Sequence, residues 1–341
     1  MRGKRTITIF IGGIILLAGL TTAIIIYEKS RPESVRIGYL EGDLHQLAFY
    51  IAQEKGFYTD EGLNVTAVPF SNGGAVMAAF ETPPATRSID ISYLGFAPAL
   101  YHRFNNPAAN IKVLASVNVN GSALIVRDDD SIKTAADLAG LKIAVPARHN
   151  MQDFILAMIL DQGGLTHDDL GEIIVMGPSD MIIALQNGNI DGYIAWEPHN
   201  VKGTTVTIGG KYLYTSSDVW SNHPCCVIAS HEDFIDADPE TVQKVINVHY
   251  RATEWILDHW EEAKSIAMEK MNLSADQATE AMANIGYVYS NDLTQMTAFV
   301  DKLVELNPDV SLDSDYIPSE ITTSTQFIDY FVDGSYLAAL D

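Results

Sequence analysis

Short apolar runs alternate with stretches of helical periodicity from Val35 onward, a pattern typical of layered α/β proteins. The apolar runs VRIGYL (35–40), LNVTAVPF (63–70), IDISYLG and IKVLASV predict strands, and the segments HQLAFYIAQEKGFY (45–58), GGAVMAAFE and APALYHRF predict the helices between them. This order predicts a βαβαβαβ unit with a mostly parallel sheet.

The same order begins again further along the chain. Strands are predicted at LKIAVP (141–146), EIIVMG (172–177) and IDGYIAW, with helices at MQDFILAMILDQGG (151–164) and SDMIIALQNGN. Residues 90–98 match residues 191–198, since both contain an aspartate, an apolar strand and then a proline. This internal repeat indicates two α/β units of similar build.

After about residue 228 the pattern is helical, beginning with residues 238–271. Asp238 before Pro239 is a typical helix start, with a capping residue followed by proline in the first turn. These helices contain no ligand-rich motif, so we expect them to serve as packing elements.

The first 30 residues differ from the rest. Arg2, Lys4 and Arg5 precede an uncharged run from Thr6 to Tyr27, which is long enough to cross a hydrocarbon core of roughly 30 Å as a helix. The basic flank should stay in the cytoplasm and place the remaining chain outside. We expect an uncleaved membrane anchor at 1–30, with a cleaved signal segment as the alternative.

The chain has 341 residues, 47% of them hydrophobic, which is enough for a sizeable core. Residues 31–341 contain 17 basic and 43 acidic side chains, a formal charge of −26. Such a surface repels nucleic acid, so that class of partner is excluded. Only two cysteines occur in the sequence, Cys225 and Cys226, so no disulfide framework spans the chain.

Several segments together resemble one known family. They are YIAQEKGFYTDEGLNV, SIDISYLGFAPAL, IKTAADLAGLKIAVP, MIIALQNGNIDGYIAWEP and CCVIASHEDFI. In this order they are similar to solute-binding proteins of ABC transporters for nitrate, sulfonate, taurine and bicarbonate. The resemblance implies a two-lobed type II periplasmic-binding fold with a hinge, although many relatives have a proline where this chain has Ala48 or Phe49.

The resemblance also implies an organisation and a role. Lobe I would contain residues 31–121 and 228–341, and lobe II would contain residues 122–227. A small solute would bind between the lobes, and the closed protein, a monomer without a cofactor, would deliver it to a permease and ATPase complex at the extracytoplasmic face of the membrane. The sequence contains no signature of one particular solute.

The resemblance places ligand-binding segments at fifteen positions. They are His45, Ser71, Asn72, Gly73, Gly95, Phe96, Asn118, Asn120, Arg148, Asn150, Met151, Gln152, Trp196, Glu197 and His223.

Elementary chemistry gives some of these residues a role. Asn72 precedes a helix whose free N–H groups could hold an oxyanion, and Asn150 could cap a second such helix. Trp196 and Glu197 stand at the carboxyl end of a strand, where ligands bind in open α/β sheets. There the indole could stack on a solute, and the carboxylate could accept from an ammonium group or hold a neighbouring donor. For each residue the alternative is an ordinary cap, core or solvated position.

The segment SNHPCCV places His223, Cys225 and Cys226 near one another in sequence. Paired cysteine ligands are usually separated by two to four residues, whereas adjacent residues in a strand point to opposite faces. We therefore expect packed thiols next to the cleft here, rather than a metal site or a disulfide between the two neighbours.

Two other classes of function remain as alternatives. An enzyme similar to thiamin-pyrimidine synthases would need a cysteine-rich iron motif, and the sequence has only two cysteines. A ligand-sensing domain on the same fold would need an output domain. A non-catalytic receptor is therefore the leading expectation.

Overall fold

The computed structural model describes residues 33–205, 207–307 and 309–340. The expected anchor at residues 1–30 lies outside these described residues. None of the helices within the described ranges is long and apolar enough to cross a membrane.

Within the described residues, eleven strands form two sheets. The strands are β1 (Glu33–Leu40), β2 (Leu63–Phe70), β3 (Ile91–Gly95), β4 (Ile111–Asn120), β5 (Ser122–Arg127), β6 (Lys142–Val145), β7 (Glu172–Val175), β8 (Gly192–Trp196), β9 (Gly210–Thr215), β10 (Pro224–His231) and β11 (Ile285–Tyr287). The helices are α1 (Leu47–Glu54), α2 (Phe57–Asp60), α3 (Gly73–Phe80), α4 (Phe96–Asn105), α5 (Met151–Gln162), α6 (Pro178–Gln186), α7 (His199–Gly203), α8 (Ser216–Val219), α9 (Glu232–Ala237), α10 (Pro239–Asp258), α11 (Trp260–Met271), α12 (Ala275–Ala283), α13 (Leu293–Leu306), α14 (Ser324–Phe331) and α15 (Ser335–Ala338).

The first sheet has the strand order β11-β4-β10-β3-β1-β2. β1 pairs in parallel with β2 and β3, whereas β10 is antiparallel to both β3 and β4, and β11 is antiparallel to β4. The prediction of a mostly parallel sheet is therefore wrong. Apolar periodicity locates strands without giving their partners, and β10 comes from much later in the chain to lie between β3 and β4.

The second sheet has the order β7-β6-β8-β5-β9, with β6 parallel to β7 and β8, and β5 antiparallel to β8 and β9. The chain enters this sheet through Gly121, between β4 and β5, and leaves it between β9 and β10. The sequence-based boundary lies between residues 227 and 228, whereas β10, a strand of the first sheet, begins at Pro224.

Two segments that were each predicted as one continuous helix are divided into two helices in the structure. Residues 45–58 form a 3₁₀ turn at Leu44–Gln46, then α1 and α2, with a break at Gly56, which has a φ of 75°. Residues 238–271 form α10 and α11, which meet at His259. The start of α10 is confirmed, because the Asp238 side chain accepts from the N–H of Thr241 and proline occupies the first turn.

The internal repeat has a structural counterpart. All five residues of β3 and of β8 are buried, as expected for strands covered on both faces. Just before β3, Asp90 Oδ2 accepts from the N–H of Arg36 on β1 at 2.8 Å. Just before β8, Asp191 Oδ2 accepts from the N–H of Lys142 on β6 at 2.8 Å. In both sheets, therefore, an aspartate just before a central strand forms a hydrogen bond with the backbone of the neighbouring parallel strand.

Candidate functional site

A small cavity lies between the two sheets, next to the carboxyl ends of β1, β3 and β8. Its volume is about 10 Å³, room for about one water molecule. The residues that line it are Leu40, Asp43, His45, Gly73, Gly95, Pro98, Asn150, Met151, Gln152, Trp196, Cys225 and Cys226. Both sheets contribute, which is the position expected for ligands of open α/β sheets.

Two helices begin at this cavity, α3 at Gly73 and α5 at Met151. Each has an asparagine cap, because Asn72 Oδ1 accepts from Ala75 N at 3.0 Å and Asn150 Oδ1 accepts from Asp153 N at 2.9 Å. The two amide oxygens are thus engaged by their own helices. The Gln152 side chain is also engaged, since its Nε2 donates to Ser122 Oγ at 3.0 Å.

Seven of the fifteen sequence-predicted site residues line the cavity. They are His45, Gly73, Gly95, Asn150, Met151, Gln152 and Trp196. The other eight are outside its lining, namely Ser71, Asn72, Phe96, Asn118, Asn120, Arg148, Glu197 and His223.

The residues outside the lining have identifiable surroundings. Phe96 packs in the core against Phe299, with ring centroids 5.1 Å apart. Asn120 has a φ of 60°, and its Oδ1 accepts from Asn222 N at 2.9 Å. Asn118 is fully buried, and its Oδ1 accepts from Cys226 N at 3.1 Å. Of these three residues, Asn118 bonds directly to a residue of the cavity lining, Cys226.

Arg148 lies at a second cavity of about 250 Å³, between α4, α13 and the loop before α5. Its Nε is 3.4 Å from Asp153 Oδ2. In the same wall, the ring of His149 stacks on Tyr101 with centroids 3.9 Å apart.

Trp196 and Glu197 are adjacent at the end of β8 but differ in what they contact. Trp196 lines the cavity and is 3% exposed. The Glu197 carboxylate is fully buried and accepts from Asn284 Nδ2 at 2.7 Å, from Val201 N at 3.3 Å and from the Tyr212 hydroxyl at 3.4 Å. Burial raises the pKa of Glu197 to about 7, against the lowering effect of these donors.

The two cysteines stand at an irregularity in β10. Pro224 pairs with Val119 and Cys226 with Asn118, so two steps on β10 oppose one step on β4, as in a β-bulge. As a result, both sulfurs lie near one imidazole, with Cys225 Sγ 3.7 Å and Cys226 Sγ 3.8 Å from His45 Nδ1. The expectation that strand alternation separates the two sulfurs is wrong here.

Asp43, His45 and Cys225 are fully buried and interact electrostatically. The imidazole Nδ1 is 3.4 Å from Asp43 Oδ1. Burial alone lowers the pKa of His45, but Asp43 and Cys225 outweigh it and raise that pKa to about 10. Burial raises the pKa of Asp43 to about 6. A thiol hydrogen bond from Cys226, with the His45 charge, holds the pKa of Cys225 well below its usual range.

Sequence reasoning missed Asp43 as a cavity residue, and although it expected packed thiols next to the cleft, it did not bring both sulfurs to His45. The available signals were Asp43, which comes two residues before His45, and Pro224 beside the cysteines, since proline in a strand often marks its first residue or a bulge. The resemblance located His45 but not the sulfurs that face it.

A model of the NMT1-like family matches residues 28–270, more than half of the chain. The chain belongs to the NMT1-like family. Among similar proteins, the nitrate/nitrite binding protein NrtA of Nostoc sp. is 23% identical over 258 residues, 70% of this chain and 58% of that protein. A putative aliphatic sulfonates-binding protein of Bacillus subtilis is 26% identical over 305 residues, 86% of this chain and 87% of that protein.

A solved structure supports the fold of this NMT1-like protein. The ligand-binding component of an ABC-type import system from Staphylococcus aureus, with zinc bound, superposes with a TM-score of 0.73 at 18% identity. The superposition covers 91% of this chain and 99% of that one. The fold is therefore the two-lobed mixed α/β fold of periplasmic binding proteins, as the sequence resemblance implied.

Proposed function

We propose that this protein is the extracytoplasmic solute-binding component of an ABC importer, holding a small solute between its lobes and delivering it to a permease and ATPase complex. Lobe I contains residues 31–121 and 228–341 and lobe II residues 122–227, with the second boundary moved from residue 228 to Pro224, where β10 of the first sheet begins. Residues 6–27 anchor the chain in the membrane. The role is non-catalytic.

The observation that carries this proposal is the position of the small cavity. Its walls come from both sheets, with Leu40 and Gly95 from the first and Trp196 from the second. A solute there contacts both lobes at once, so its binding energy favours the closed arrangement. Family membership and the names of the relatives give independent support for solute binding.

The test is thermal unfolding of the full-length protein in detergent, after treatment with chelator and reductant. The panel contains nitrate, bicarbonate, sulfate, taurine, alkanesulfonates, amino acids and thiamin-pyrimidine analogues. A bound solute at 100 times its Kd stabilises the fold by about 2.7 kcal/mol. We expect one chemical class to raise the melting temperature, and a cooperative melt that no solute shifts contradicts the proposal.

Two variants test whether the solute binds in the small cavity. Gln152→Ala, which removes a side chain from the cavity wall, should abolish the shift, whereas Gln53→Ala on the exposed face of α1 should keep it. Equal shifts in both variants would place the solute elsewhere. The rival enzyme reading predicts instead an iron-dependent product and loss of a histidine from the chain.

A further inference from the structure

Three potential metal ligands converge in the small cavity. They are His45 Nδ1, Cys225 Sγ and Cys226 Sγ, which all lie within 4.8 Å of one another. Each side chain is at least 97% buried. Among the residues that the structure describes, this is the one cluster in which three such ligand atoms come together.

The separations suit a single ion. Zinc binds thiolate at about 2.3 Å and imidazole at about 2.0 Å, which places nitrogen and sulfur about 3.5 Å apart in a tetrahedral array and about 3.7 Å apart in a trigonal one. The observed separations from His45 Nδ1 are 3.7 Å to Cys225 Sγ and 3.8 Å to Cys226 Sγ. Both nitrogen-to-sulfur separations therefore suit ligation of one ion, and the two sulfurs lie within 4.8 Å of each other.

The surroundings hold the ligands in place. Asn118 Oδ1 accepts from Cys226 N and fixes the irregular backbone of β10. Asp43 Oδ1 accepts from His45 N at 2.9 Å, which fixes the histidine backbone. The other ring nitrogen, Nε2, lies against Gly121, where an added Cβ would be 2.2 Å away. This steric contact restricts the ring position, although Nε2 itself makes no hydrogen bond among the described residues.

The charge and the size of the small cavity also favour a metal ion. The ionisable residues in the described lining are Asp43, His45, Cys225 and Cys226, with no lysine or arginine among them. The carboxylate and the two sulfurs attract a cation, and the imidazole must lose its proton to bind one. The cavity of about 10 Å³ has room for an ion.

We propose that His45, Cys225 and Cys226 form a binding site for one thiophilic d¹⁰ cation, Zn²⁺ or Cu⁺, in the cavity between the lobes. Thiolate and imidazole ligands together select such soft ions. Asp43 lines the same cavity, with its Oδ1 at 3.4 Å from His45 Nδ1. This site stands independently of the proposed transport role, because it depends only on the three ligands and their geometry.

The test uses the full-length protein, reduced and freed of metal by chelation. Zn²⁺ is titrated in competition with a chromogenic zinc chelator, and Cu⁺ in competition with bicinchoninate under anaerobic conditions. We expect one ion per chain for at least one of the two metals. Reduced wild-type protein that binds neither ion at one per chain overturns the proposal.

Variants assign the ligands. Cys225→Ser, Cys226→Ser and His45→Gln should each weaken binding by at least about 100-fold, while His259→Gln, at an exposed histidine, should bind as wild type does. Binding by Cys225→Ser with wild-type affinity overturns the site. Should a variant fail to fold, the wild-type protein still decides, because thiolate-to-metal absorption is expected with Co²⁺, the probe for a zinc site, or with Cu⁺, and the absence of both contradicts cysteine ligation.

Discussion

Asn284 donates a hydrogen bond from Nδ2 to Oε1 of Glu197 at 2.7 Å, which joins the end of α12 to the end of β8. The two residues are 87 positions apart in the chain. Glu197 follows a strand of the second sheet, whereas α12 belongs to the helical part of the chain that precedes β11 of the first sheet. The contact therefore connects the two halves of the molecule.

Asn284→Ala should destabilise the protein by about 1–3 kcal/mol, because it leaves a fully buried carboxylate without its shortest hydrogen bond. Urea unfolding measures the loss. Asn187→Ala is the matched control, since Asn187 also ends a helix in the αR conformation but is exposed. Equal losses in the two variants would contradict a stabilising role for the Glu197 contact.

Glu197→Gln should change how stability depends on pH. Burial raises the pKa of Glu197 to about 7 from an ordinary 4.5. Between these values the folded protein keeps a proton that the unfolded chain has lost, so this residue lowers the free energy of unfolding as pH rises. The free energy of unfolding that Glu197 removes over this pH range is about 3 kcal/mol in total. Glutamine does not titrate, so it does not have this effect.

The measurement is urea unfolding at pH 4.5 and pH 7.5 for wild type and Glu197→Gln. The difference in stability, wild type minus variant, should fall by up to about 3 kcal/mol between these pH values. Subtraction removes the contributions of other groups with shifted pKa, such as His199 and Asp43. The exposed Glu269→Gln serves as control, and a pH-independent difference for Glu197→Gln would rule out the raised pKa.

Gly121→Ala should be much more damaging than Gly140→Ala. Both glycines have left-handed φ values, 90° and 77°, so alanine costs about 1–2 kcal/mol at either position. A Cβ at residue 140 meets no atom within 4 Å, whereas at residue 121 it would stand 2.2 Å from His45 Nε2. That clash should add about 1–3 kcal/mol.

Thermal and urea unfolding of the two glycine variants measure this difference. Gly121→Ala should also weaken any binding that depends on His45, because the ring must move to make room. Similar stability losses in the two variants would show that the His45 ring can move aside without a measurable energetic cost.

Asp90→Ala and Asp191→Ala should each destabilise by about 1–3 kcal/mol, because each aspartate accepts a backbone hydrogen bond from a neighbouring strand. The two losses should add within about 0.5 kcal/mol in the double variant, since the aspartates lie in different sheets and share no partner. Asp128→Ala, at an exposed position, is the control. Strong non-additivity in urea unfolding would indicate coupling between the sheets.

Local pattern predicted much of the fold. The limits of β2 were predicted correctly as residues 63–70, because the run is bounded by Gly62 before it and by Ser71-Asn72-Gly73 after it. The position of β10 between β3 and β4 was not predictable in this way, since strand pairing depends on contacts between residues more than 100 positions apart.

The candidate site was predicted only in part. Two pairs of residues adjacent in sequence show why. Trp196 reaches the cavity while Glu197 bonds to Asn284, a partner that no local pattern reveals. Cys225 and Cys226 were expected on opposite faces, but the irregular register of β10 brings both sulfurs to His45. The expectation assumed regular alternation along the strand, but β10 has a register shift at these two residues.

The imidazole of His45 occupies the space beside residue 121 that a side chain would otherwise fill. Residue 121 is also where the chain passes from the first sheet to the second. The ring and the backbone that joins the two sheets are therefore in direct contact, so a side chain that lines the cavity also bounds the connection between the sheets.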